Sequence, residues 1–297
     1  MLTQDSQPLV VDSAWSPLAA TIARVSALDS LLAAVVLPAP TADWLRISDL
    51  LDPTAQPVWF DELLTQIMAR YSLRERRTAA TFLFGSYAWY VMASAIASYL
   101  SDRRVPSIAI EDMAIRFDVH GDEPHIQVAL LTPGFAALPD DPAANQPMVT
   151  VCANLDELRE HLRNQIETHM QVIINFLSTQ VRSGPRGQWN MVADTCAEIA
   201  LWIGHQMGDQ ELACAEALSL IKVAGSPMRP SPTRYMTLTE GDHCETFRMR
   251  GSCCLFYKIP TTNNCNTCPL LSEDERIERL RTWMQHDHNH DHDHSHN

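Results

Sequence analysis

Between Thr78 and Ser101 the chain runs for twenty-four residues without a charged side chain. A run of that length either crosses a bilayer or is buried on most sides inside a helical body. Its content is rich in Ala, Ser, Thr and Tyr and poor in Val and Leu, and no second segment of this kind occurs, which favours the buried helix. No transmembrane segment is therefore expected, while peripheral association with a membrane stays open. The rest of the chain is acidic, with 22 Lys and Arg against 36 Asp and Glu and a net charge of −14. Such a balance offers no basic face for phosphate and argues against nucleic acid as a partner. With 297 residues, 46% of them hydrophobic, the chain can bury a sizeable core. The opening MLTQDSQPLV has no basic segment ahead of an apolar one, so the expected location is cytoplasmic.

Apolar spacing predicts helices over Trp15–Val36, after Thr41 as its cap, over Val58–Tyr71, and through the uncharged run to about Arg103. The pattern then alternates, and Ala114–Val119 with His125–Leu131 read as a β-hairpin turning at His120–Glu123. A Pro- and Asp-rich loop over Pro133–Pro147 precedes a short strand, MVTVC. Asn154 with Glu157 predicts a capping box for a helix to about Val181, followed by helices near Trp189–Met207 and Gln210–Ala224. The Pro-broken stretch SPMRPSPTRYM reads as a linker. The expected fold class is α+β: a mainly helical body over residues 1–235 with a small sheet, a compact cysteine module over 236–285, and a disordered His/Asp-rich tail over 286–297.

Four of the eight cysteines fall within sixteen residues: Cys253 and Cys254 adjacent, ten residues between, then Cys265 and Cys268. In a reducing compartment such a cluster points to metal before disulfides. Four thiolates suit zinc or an iron–sulfur cluster. Structural zinc sites present their ligands as Cys-x2–4-Cys pairs, which Cys265 and Cys268 match and Cys253-Cys254 does not. Neighbouring residues chelate one small ion only through a cramped ring, whereas a two-iron cluster offers separated positions. The Asn- and Thr-rich turn before Cys268 supplies donors that raise a cluster's potential. Buried small hydrophobes or a redox dithiol are the plainer alternatives, but Pro269 follows the second pair and loop precedes it. Cys152, Cys196 and Cys214 lie in apolar patterns and read as core.

This module resembles the C-terminal domain of the FhuF-type ferric siderophore reductases, whose signature is Cys-Cys-x10-Cys-x2-Cys. The flanking Arg250 and Ser252, the Leu255-Phe256-Tyr257 run and Pro269 extend the likeness over about twenty-five residues, while Gly251 stands where the family often has a basic residue. The resemblance implies a [2Fe-2S] cluster on Cys253, Cys254, Cys265 and Cys268, with the cluster itself as the reacting group. It implies a ferric siderophore of hydroxamate or similar type as substrate, reduced by one electron so that Fe(II) is released. Arg250 and Lys258 are candidate neighbours that would stabilise the added charge, or plain surface cations. No Gly-x-Gly-x-x-Gly or Walker loop is present, so electrons are expected from a ferredoxin or flavin reductase. The competing readings are a binding protein with structural zinc and an iron–sulfur redox sensor.

The tail places His286, His288, His290, His292, His294 and His296 at alternate positions among Asp, Asn and Ser. That composition cannot pack a core, and its imidazoles and carboxylates suit weak binding of divalent metals. Of the other histidines, His161 and His169 read as a solvated helix face, His205 as a helix-end cation, and His243 as a remote candidate donor near the cysteine module.

Overall fold

A computed structural model describes residues 16–29, 34–52, 58–118 and 125–294. Its helical body comprises α1 (Ser16–Leu28), α2 (Ile47–Leu50), α3 (Val58–Arg70), α4 (Arg76–Asp102), α5 (Leu155–Gln180), α6 (Pro185–Met207) and α7 (Gln210–Ile221). The uncharged run forms most of α4, whose segment from Val91 to Leu100 is buried on every side. It packs against α1, α3, α5 and α6 and against two sheets, which is why it needs no charge. Among the described residues α4 is the one helix long and apolar enough to cross a membrane, and 67% of its most apolar window is buried in the protein. Arg103 ends it in a left-handed conformation, φ 52°, with its guanidinium over the Tyr99 ring.

The first sheet orders β1 (Ala34–Val36), β5 (His125–Leu130), β4 (Met113–Asp118) and β2 (Leu45–Arg46), with β4 and β5 the expected antiparallel pair. Its turn, including His120, lies outside the described residues. The second sheet orders β3 (Arg104–Pro106), β6 (Phe135–Ala137) and β7 (Val149–Val151). Three expectations are corrected here. The first helix stops at Leu28, and Val35 and Val36 join a strand parallel to β5, as β-branched residues favour. Thr41 caps no helix; its hydroxyl bonds Asp43, and the helix after β2 is only four residues long. The Pro- and Asp-rich loop contains β6, a fully buried strand too short to show alternation. The Asn154 cap is present: its side chain accepts from the Glu157 N–H at 3.0 Å, and Glu157 reaches back to the Ala153 N–H at 2.8 Å.

Beyond α7 the expected linker gives way to a hairpin, β8 (Arg234–Glu240) and β9 (His243–Met249), and then to the cysteine loop and α8 (Glu273–His294). Leu238 and Met249 pack on Leu280 and Met284 in a small core separate from the body's. The expected capping box opens α8: the Glu275 N–H donates to Ser272 Oγ at 3.3 Å, and the Ser272 N–H to Glu275 Oε2 at 2.9 Å. The helix backbone continues past Gln285 to His294, since no Pro or Gly interrupts it.

Candidate metal centre

The cysteine loop is held to the body by one face of α6. Asn190, Asp194 and Glu198 stand at four-residue intervals on that helix and meet residues 248–252 in turn. Asp194 is 1% exposed. Its carboxylate accepts from the Gly251 N–H at 2.7 Å, the Ser252 N–H at 2.9 Å, the Ser252 hydroxyl at 2.6 Å and the Thr233 hydroxyl at 2.6 Å. A buried carboxylate with four donors is satisfied, and it fixes the backbone immediately before Cys253. Asn190 donates to the Gly251 carbonyl at 3.2 Å, and Arg248 pairs with Glu198 at 2.5 Å. Gly251 is required by this contact: a Cβ there would lie 2.3 Å from Ser231 Oγ and 2.8 Å from Thr233 Oγ1. A basic side chain at this position has no room.

From this anchor the chain turns through Cys253 and Cys254. Leu255 adopts φ 61°, and its N–H points back at Cys253 Sγ, 3.4 Å away. A short 3-10 turn over Phe256–Lys258 follows, closed by the Thr262 hydroxyl on the Phe256 and Ile259 carbonyls. The return limb brings Cys265 and Cys268 into a tight turn, with the Cys268 N–H on the Cys265 carbonyl at 3.0 Å. Asn264 donates its side-chain amide to Cys268 Sγ at 3.3 Å, and Arg279 of α8 holds the Asn264 carbonyl at 3.0 Å. Thus α6 fixes the first cysteine pair and α8 the second.

The four thiols converge as two facing pairs, Cys254 with Cys265 and Cys253 with Cys268. Among the described residues no three His, Cys, Asp or Glu side chains gather closely enough for one metal ion. Two pairs side by side instead suit a cluster with two irons and four thiolate ligands. The hydrogen bond from Cys265 lowers the pKa of Cys254, and Arg250 beside it acts in the same sense. Burial opposes the charge on Arg250, yet the neighbouring Cys254 and the buried Asp194 outweigh it and raise its pKa. The remaining described cysteines in the body differ in kind. Burial pushes Cys196 up to about 12 and Cys214 up to about 11, and it raises Cys152 as well, so these stay thiols. Cys254 and Arg250 also form part of the wall of a cavity of about 740 Å³.

Of the residues singled out by sequence, Arg250 is brought to the thiols and Lys258 is not. Lys258 is exposed, ion-paired to Glu75 at 3.2 Å and set over the Tyr257 ring. His243 lies on β9, 3.9 Å from Glu245. His286 is exposed on α8, which carries the backbone of His288, His290, His292 and His294; His296 lies outside the described residues. His205 is exposed in the last turn of α6, as expected. His169 corrects the expectation of a solvated face, because it is 1% exposed, between the Tyr87 hydroxyl and the Ile108 carbonyl, each at 2.6 Å. Asp194 was not foreseen. Its one sequence signal is the stripe of polar residues at four-residue intervals that it makes with Asn190 and Glu198 on α6.

Residues 250–270 match the family model of the FhuF 2Fe-2S C-terminal domain. No curated protein matches the chain. The match spans the two cysteine pairs and the loop between them, and the cofactor of this segment is a [2Fe-2S] cluster.

Proposed function

We propose that this chain, which carries a FhuF 2Fe-2S C-terminal domain, is a cytoplasmic ferric-siderophore reductase. The observation that supports this reading is the family match on a loop whose four thiols converge in two pairs. Cys253, Cys254, Cys265 and Cys268 would hold the cluster, which when bound supplies a one-electron store. The chain's own residues set its surroundings. The Leu255 N–H and the Asn264 amide lie on Cys253 and Cys268, and hydrogen bonds to sulfur favour the reduced state. Arg250 adds a fixed positive charge beside Cys254.

The reaction balances as one electron. A reduced carrier of low potential, such as a ferredoxin or flavin reductase, loses it, and Fe(III) in a hydroxamate or similar chelate gains it. No bond within the chelator breaks. Hard oxygen donors grip Fe(II) less than Fe(III), so the iron becomes exchangeable. The deciding experiment is anaerobic: the reconstituted protein, a reduced carrier and a ferric trihydroxamate, with a colour-forming Fe(II) ligand as readout. Colour that depends on the protein supports the reading. A cluster that cycles without Fe(II) release would make the chain a sensor. A colourless protein with one zinc per chain would remove redox function altogether.

A further inference from the structure

We infer that the cavity between α3, α4 and the cysteine loop is the seat of the ferric chelate, held with its metal toward Cys254 and Arg250. This rests on the reductase reading above and names the place and manner of binding within it. Size is the first ground. The cavity measures about 740 Å³, within the range of sites that enclose small molecules of several hundred daltons. A second cavity, walled by Trp59, Phe117 and Phe176 among others, measures about 40 Å³ and holds little more than water.

Position is the second ground. Cys254 is the one of the four clustered cysteines that reaches this wall. A chelate bound here would therefore lie against one of the four cysteines that would hold the cluster. The lining combines two kinds of surface. Tyr71, Phe82 and Trp89 offer apolar, aromatic faces suited to the hydrocarbon linkers of a wrapped chelator. Charged groups share the wall: Arg70 on α3, and Arg248, Arg250 and Glu198 beside Cys254.

Charge supplies the third ground. Reduction makes the chelate more negative by one unit, so a fixed cation beside it favours the product side of the transfer. Arg250 is placed for this, with the thiols on one side and the cavity on the other. Glu198 would repel the reduced chelate, but Arg248 neutralises it at 2.5 Å.

The test uses the gallium(III) complex of a linear trihydroxamate, which matches the ferric complex in charge and cannot be reduced under these conditions. Ser86 on α4 and Gln66 on α3 are exposed and face the cavity from different walls, so a Trp at either fills space without crowding the core. Titration calorimetry should show the gallium complex binding the reconstituted unmodified protein, and at least ten-fold weaker binding to Ser86→Trp and to Gln66→Trp. The visible spectrum of both variants should stay that of the unmodified protein. On the unmodified protein, hydrogen exchange should slow on adding the complex at residues 66–71 and 81–89, a readout that needs no variant to fold. Undiminished binding by both variants, or protection confined elsewhere, would overturn the seat while leaving the reductase reading intact. If the unmodified protein reduces ferricyanide but neither binds the gallium complex nor reduces the ferric one, the reductase reading itself fails.

Discussion

Asp194 and Gly251 decide the register of the cluster loop before any cysteine acts. Replacing Asp194 with Ala strips one acceptor from four buried donors. The expected cost is about 3–5 kcal/mol, as for breaking a buried charged hydrogen-bond set. Helix content by circular dichroism should persist while the visible absorption becomes labile, and Gly251→Ala should act in the same direction by steric clash. Replacing Cys253, Cys254, Cys265 or Cys268 with Ser exchanges a soft thiolate for a hard oxygen and should bleach or destabilise the spectrum. The same change at Cys152, Cys196 or Cys214 should leave it unaltered; a full, stable cluster in Cys254→Ser would refute the adjacent-pair ligation. His169 sets a pH limit on the fold. Burial lowers its pKa to about 4, with the Ile108 carbonyl and Glu111 opposing, and the carbonyl can only accept, so Nδ1 carries the ring proton and Nε2 accepts from Tyr87. Because the unfolded chain binds a proton near pH 6.5 that the folded one refuses, stability falls as pH drops from about 6.5 to about 4, by about 3 kcal/mol. Denaturant melts across that window should show the acid loss, and His169→Gln should flatten it. The cysteines were legible because ligand spacing along one loop is a sequence property. Asp194 was not, because it acts across more than fifty residues of chain, and an acid on a helix reads as solvated until its neighbours are known.

At the scale of elements the long helices were legible, and most of the short strands were not. Helices such as α4 and α5 span seven turns, so their burial pattern repeats within one segment. The strands β1, β3 and β6 are three residues each and draw their stability from partners distant in sequence. The hairpin β8–β9 carries a sequence signal of its own. Met236 and Leu238 alternate with Tyr235 and Thr237, and Gly241 at φ 60° with Asp242 makes a two-residue turn between Glu240 and His243. Its Pro-rich approach masked it as linker. This hairpin and α8 share a core of four buried side chains, Leu238, Met249, Leu280 and Met284. So small a core leaves the module dependent on its α6 contacts for stability. Leu280→Ala should cost about 2–4 kcal/mol and fall on the module alone. Thermal bleaching of the visible band should move to lower temperature in this variant while the far-ultraviolet melt of the body stays in place. Parallel shifts of both transitions would show instead that module and body melt as one unit.

Across the whole molecule the body presents the large cavity, the module presents the thiols, and α6 is shared by both, with Met191, Thr195 and Glu198 on the cavity and Asn190 and Asp194 on the loop. The sequence holds no Gly-x-Gly-x-x-Gly or Walker loop, so NADPH with the isolated chain should give negligible chelate reduction until a one-electron carrier is added. Sustained turnover without the carrier would refute that requirement. The His/Asp-rich end should be separable from this machinery. The small core at the head of α8 is complete by Met284, and the capping box sits at Ser272 and Glu275, so removing residues 286–297 takes nothing from either. The truncated protein should therefore keep its visible spectrum and its melt. It should lose its weak sites for zinc or nickel, which in the full chain should weaken in acid, because a protonated imidazole has no lone pair to give a metal. Calorimetric titration of both forms, at pH 7.5 and pH 5.5, separates the outcomes. Equal zinc stoichiometry at pH 7.5 would make the tail a mere spacer. Loss of chelate reduction with the cluster intact would place the tail on the route of iron itself, receiving Fe(II) on the same imidazoles as it leaves the chelate.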